Sequence, residues 1–161
     1  MSGYDTAMAQ RIFCETMERM AFVFADPVDP AGISDGGIGK LAARMEVRGH
    51  CCGAIVMAAP MSLGLAISEN LLGPASSESW QTLAADAICE ALNVFCGGLL
   101  EQMAGDAQEA FELSAPVSFP LTDDEWRKMR QSPHTLAFVV EDFPLLLQIE
   151  IADKERESSI I

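Results

Sequence analysis

Eighteen consecutive residues, Cys51 to Ser68, carry no charge, which forces the chain to bury this segment in a membrane or in its own core. Eighteen residues only reach the lower limit for a spanning helix, and Pro60 falls in the middle with Gly53, Ser62 and Gly64 around it. The segment therefore reads as a buried strand followed by a helix. Such a core needs a partner layer, and 161 residues, half of them apolar, supply enough chain for one domain with a full interior. We place that domain at residues 1–152, followed by a charged, frayed tail, 153–161.

Charge narrows the partners. Ten Lys and Arg against 24 Asp and Glu give a net charge of −14, which repels a phosphate backbone or an anionic membrane from most of the surface. The first twenty residues, interrupted by Asp5, Arg11, Glu15, Glu18 and Arg19, contain no apolar core of a secretory signal, so a cytoplasmic location is expected. Five cysteines without a CxxC pair fit a reducing compartment and no disulfides. Cys51 and Cys52 beside His50 do not make a metal site, because strand neighbours point to opposite faces and no second Cys/His cluster exists.

Apolar periodicity predicts a first helix from about Asp5 to Ala25, with Met8, Ile12, Met17, Met20 and Phe24 near helical spacing and Asp26-Pro27 as its stop. Residues 26–39 read as a loop. Strands at Leu41–Gly49 and Cys51–Ala58 precede a helix, Met61–Leu72, opened by Pro60 and closed by Gly73-Pro74. Ser76 to Ser79 offer N-caps for a long helix, Trp80–Met103, with Gly105 at its left-handed terminus. Three further strands are expected at Phe111–Phe119, Leu136–Glu141 and Leu145–Ile151, with Thr122-Asp123-Asp124-Glu125 capping a short helix through Arg130. This is an α+β pattern, an antiparallel sheet of about five or six strands with helices packed on it. Cys14-Glu15, Glu18 and Phe22 stand 75 residues before Cys89-Glu90, Asn93 and Gly97, a faint sign of duplicated halves.

The long helix carries the most specific pattern. At about 100° per residue, Asp86, Glu90, Asn93 and Gly97 fall within an arc of about 60°, opposite Ile88, Leu92, Phe95 and Leu99. Ala87, Cys89, Val94, Cys96 and Gly98 flank the line and are small or apolar. Two readings stay open: a docking surface that lets another backbone approach, or a nearly buried helix whose polar groups reach solvent through a gap.

The pattern Asp86-x-x-x-Glu90-x-x-Asn93, followed after 22 residues by Pro116, resembles that of the CheC, CheX and FliY family of chemotaxis phosphatases. The resemblance extends to Phe13-x-Glu15-Thr16, Gly53-Ala54-Ile55-Val56-Met57-Ala58-Ala59-Pro60 and Asn70-Leu71-Leu72-Gly73, covering most of residues 8 to 152. CheX is the nearer pattern, since Glu18 stands in the first helix where Asn93 stands in the second. The resemblance implies a hydrolase that removes phosphate from the aspartate of a phosphorylated CheY-like response regulator, with Glu90 and Asn93 as its catalytic pair. It implies partner contacts at Asp86, Gly97 and Pro116, no cofactor of its own, Mg²⁺ supplied by the receiver domain, and a homodimer assembled through strands. The chemistry is coherent with those residue types. An acyl phosphate is already activated, so only positioning and electrostatics are required, and an amide at 93 can hold a water without repelling the phosphoryl oxygens. Glu90 can accept a charge-assisted hydrogen bond from a partner lysine.

Other arrangements are poorer. No Ser-His-Asp or Cys-His set stands out, and His134 beside Pro133 reads as a turn residue. Gly36-Gly37-Ile38-Gly39 lacks the Lys-Ser/Thr of a phosphate loop, and Lys40 reads as a solvated loop residue, which weakens a small-molecule site. A non-catalytic adaptor that binds a receiver through the same helix is the competing function.

Overall fold

The computed structural model describes residues 5–35, 37, 39–73, 79–104 and 111–153. Its elements are α1 (Thr6–Ala21), β1 (Ala25–Val28), β2 (Lys40–Arg48), β3 (Cys51–Pro60), α2 (Met61–Leu72), α3 (Trp80–Ala104), β4 (Glu112–Leu113), β5 (Val117–Leu121), α4 (Asp123–Gln131), β6 (Thr135–Val140) and β7 (Phe143–Asp153). The architecture is α+β, an open antiparallel sheet of seven strands rather than five or six. The uncharged segment is β3 followed by α2, with Pro60 as the N-cap residue between them. Expected features at Pro74, Ser76, Ser77, Gly105 and in the tail beyond Asp153 lie outside the described residues.

Two corrections account for the extra strands. Helix α1 ends at Ala21, not Ala25, because Phe22 takes the left-handed conformation (φ 55°) and its N–H caps the carbonyl of Glu18. The chain then turns into β1, where Asp26 and Pro27 pair with Val139 and Phe138. Proline is tolerated there because β1 is an edge strand. The run Phe111–Phe119 is two strands, not one. Pro116 has no N–H to donate, and Ser114 bridges the break by accepting from the Glu46 N–H through Oγ (2.8 Å) and donating its own N–H to the Glu46 carbonyl (3.0 Å).

The sheet runs β1-β6-β7-β3-β2, with β4 and β5 both pairing to β2. Exchanging β1 with β5, β2 with β6 and β3 with β7 reproduces the same order reversed, which is the pseudo-duplication in structural form. Strand alternation divides the interior. Leu41, Ala43, Met45, Ile55, Met57, Leu145 and Leu147 face α1, α2 and α3, while Ala42, Ala58, Ala137 and Leu146 meet Trp126 and Met129 of α4 on the opposite face. Phe13 of α1 stacks between Phe95 of α3 (6.0 Å) and Phe138 of β6 (4.2 Å), fixing both long helices to the sheet.

The capping box of α4 is present, with Thr122 Oγ1 accepting from the Glu125 N–H (3.1 Å) and Glu125 accepting from the Thr122 N–H (3.2 Å). Lys40 is not a solvated loop residue. It begins β2 and is buried, donating to Asp123 (2.7 Å) and to the Gly37 carbonyl (2.9 Å) beneath the Trp126 ring.

Candidate functional site

The 25 residues of α3 place the site. Ile88, Leu92, Phe95 and Leu99 are fully buried against the sheet, and this anchoring turns the other side of the helix outward. Asp86, Glu90, Asn93 and Gly97 are all exposed, so the polar line is an open surface rather than a slit in a covered helix. By length and composition α3 is apolar enough to cross a membrane, yet its apolar side from Ala84 through Leu100 is packed within the domain.

The flanks differ. Ser79 caps the helix start, its Oγ accepting from the Thr82 N–H at 3.3 Å. On one side of the line lies β5, whose Ser118 hydrogen-bonds Cys89; Pro116 precedes β5, in the break between β4 and β5. Burial pushes the Cys89 thiol up, opposed by the Ser118 hydrogen bond and helped by Asp86. Cys96 is pushed up by burial to about 12. Both thiols are protonated at neutral pH, so neither serves as a thiolate nucleophile beside the line.

On the other side α2 and α1 pack in turn. Ser68 and Leu71 of α2 face Asp86, Ala87 and Glu90 across a hollow of about 390 Å³. Further along, α1 and α3 border a groove of about 760 Å³ lined by Glu15, Thr16, Arg19, Val94, Gly98 and Glu101, among others. Arg11 ties the two helices through Gln102 (3.1 Å) and pairs with Glu15 (3.6 Å). Glu18, in the place corresponding to Asn93, is exposed on α1.

The structure thus brings Asp86, Glu90, Asn93 and Gly97 onto one exposed face of α3, while Pro116 lies in the break between β4 and β5. What the arrangement offers is the Glu90 carboxylate and the Asn93 amide a helical turn apart and both exposed, with α2 bordering Glu90 across the hollow and small residues beside them. Among the described residues no group of three His, Cys, Asp or Glu is placed to hold a metal ion. Periodicity misplaced Phe24, which is 67% exposed rather than part of the α1 face, and gave no sign of Phe22 at 75%. The one local signal was the alternation Phe22-Val23-Phe24, in which only Val23 is buried.

A family model described as chemotaxis phosphatase CheX matches residues 41–135. Among solved structures, the chemotaxis protein CheX of Vibrio vulnificus is 16% identical, covering 94% of this chain and 99% of its own, with a TM-score of 0.67. A CheX of Borrelia burgdorferi, solved in a complex with CheY, BeF3 and Mg²⁺, is 12% identical and covers 90% of this chain and 96% of that one, with a TM-score of 0.66. FliY of Thermotoga maritima is 12% identical, covers 94% and 87%, and gives a TM-score of 0.55. No curated protein matches the chain.

Proposed function

The chain belongs to the chemotaxis phosphatase CheX family, and we propose that it hydrolyses the aspartyl phosphate of a CheY-type receiver domain by presenting Glu90 and Asn93 of α3 to it. The observation that carries this reading is the exposure of that carboxylate and amide together on one face of α3. The complex of a CheX with CheY, BeF3 and Mg²⁺ supports the choice of partner and the source of the metal.

In this mechanism the receiver supplies the phosphorylated carboxylate and its Mg²⁺. Asn93 holds a water in line with the phosphorus, accepting a hydrogen bond from it through the amide oxygen. The water's oxygen bonds to phosphorus, the acyl–phosphate P–O bond breaks, and inorganic phosphate and the aspartate carboxylate result. The amide carries no charge to oppose the phosphoryl oxygens, whereas a carboxylate there would repel them. Glu90 accepts from a lysine of the receiver, which fixes register and draws that cation away from the phosphate. Asp86, Gly97 and Pro116 complete the contact: the carboxylate as a second polar handle, the glycine as a place for close approach, and the proline, just before β5, as a residue that shapes the strand beneath the helix. Residues 1–152 act as one cytoplasmic unit, and strand pairing at a sheet edge is the route to a homodimer.

The test is phosphate loss from a phosphorylated CheY of the protein's own organism, timed with and without the protein. Asn93→Ala should lower the stimulated rate about 100-fold while leaving affinity for the phosphorylated receiver nearly unchanged, because the amide positions water and adds little contact area. Equal loss of rate and affinity would favour the adaptor.

A further inference from the structure

Two aromatic side chains stand in solvent where α1 gives way to β1: Phe22 is 75% exposed and Phe24 is 67% exposed, on either side of buried Val23. Their backbones are held firmly. Phe22 adopts φ 55°, a conformation unfavourable for a residue with a Cβ, with its N–H bonded to the Glu18 carbonyl. The Phe24 N–H donates to the Glu141 carboxylate (3.2 Å) and its carbonyl accepts from the Glu141 N–H (3.4 Å). Glu141 and Asp142 form a tight turn between β6 and β7, with φ of 48° and 71°. Exposed rings on a fixed backbone lose little freedom when covered, which is the property of a binding anchor rather than of a loose loop.

The position of the pair is set by α2. Asn70 donates through Nδ2 to the Ala21 carbonyl (2.8 Å), joining the end of α2 to the residue before Phe22. The next α2 residue, Leu71, lines the hollow it shares with Glu90. The end of α2 thus touches both the residue before Phe22, through Asn70, and the hollow beside Glu90, through Leu71. Around the aromatic pair Glu18, Asp26, Glu69, Glu141 and Asp142 are exposed, with Arg19 as the neighbouring cation. An apolar centre with an acidic rim repels an anionic bilayer. It also disfavours a second copy of this chain, since a two-fold contact would set these carboxylates against one another.

We infer that Phe22 and Phe24 form an apolar anchor for the same receiver domain whose phosphate faces Asn93, docking on a part of its surface that is apolar and edged by lysine or arginine. This rests on the function proposed above and adds a determinant of partner choice to it. Glu90 and Asn93 address groups at a phosphorylation site; the anchor reads surface beyond it and so distinguishes one receiver from another.

The experiment measures binding of CheY from the protein's own organism, loaded with BeF3⁻ and Mg²⁺, alongside turnover of the phosphorylated form. Phe22→Gly removes the ring and suits the left-handed conformation, so it should leave the melting temperature equal or higher while weakening binding about tenfold, with the loss in KM rather than kcat. Phe24→Ser tests the second ring independently of that cap. Unchanged affinity in both variants would overturn the anchor and leave the phosphatase reading standing. A wild-type protein that neither binds nor dephosphorylates its receivers would overturn both. A self-association without receiver that Phe22→Gly abolishes would assign the rings to a second copy and also overturn the anchor.

Discussion

Gly64 of α2 and Ala84 of α3 meet backbone to backbone: a Cβ added to Gly64 would stand 2.9 Å from both the Cβ and the carbonyl oxygen of Ala84. No flexible side-chain end is present to give way. This contact sets how close α2 lies to α3, and so shapes the hollow that Leu71 shares with Glu90.

Gly64→Ala should consequently destabilise the fold by about 1–3 kcal/mol, although alanine is intrinsically the better helix former by about 1 kcal/mol. Denaturant unfolding measures the difference, and a variant more stable than wild type would show that the helices separate without cost.

Glu90→Lys should weaken binding of the phosphorylated receiver by tenfold or more at low salt, since a proposed attraction to a partner lysine becomes repulsion. The difference from wild type should shrink as salt rises, because the site is open to solvent. Affinity unaltered at low ionic strength would remove the anchoring role from this carboxylate.

Glu18→Ala should leave turnover near the wild-type rate. A carboxylate at that position repels a phosphoryl group and has no donor to offer, so the α1 face contributes no chemistry on this reading. A loss comparable to that of Asn93→Ala would show a second working site.

The pair Lys40 and Asp123 makes stability sensitive to acid. The hydrogen bond and charge of Lys40 hold the Asp123 carboxyl below its ordinary value of 3.8. A carboxyl lowered in the folded state contributes stability that is present above its unfolded value and is lost as pH falls through the lower, folded one. Asp123→Asn should lower the melting temperature at neutral pH and flatten the decline below pH 3.8, bringing the two proteins together in strong acid. Parallel melting curves across that range would assign the acid limb to other groups.

Every element with a strong local cause is legible in the chain. The uncharged run interrupted by Pro60 specifies β3 then α2; Thr122 and Glu125 cap α4 within four residues; the Ile88, Leu92, Phe95 and Leu99 spacing fixes which side of α3 is buried and thereby places Glu90 and Asn93 on the other. Features that depend on distant partners are not legible there. β1 exists because β6 pairs with it, setting Val139 opposite Asp26 and Phe138 opposite Pro27, residues whose local preference is for a turn. Lys40 is buried because Asp123, 83 residues away, neutralises it there. The groove between α1 and α3 and the exposure of Phe22 and Phe24 follow from how helix ends meet across the sheet. Periodicity describes one element at a time, whereas burial is a property of two surfaces in contact, and the second surface is not written beside the first.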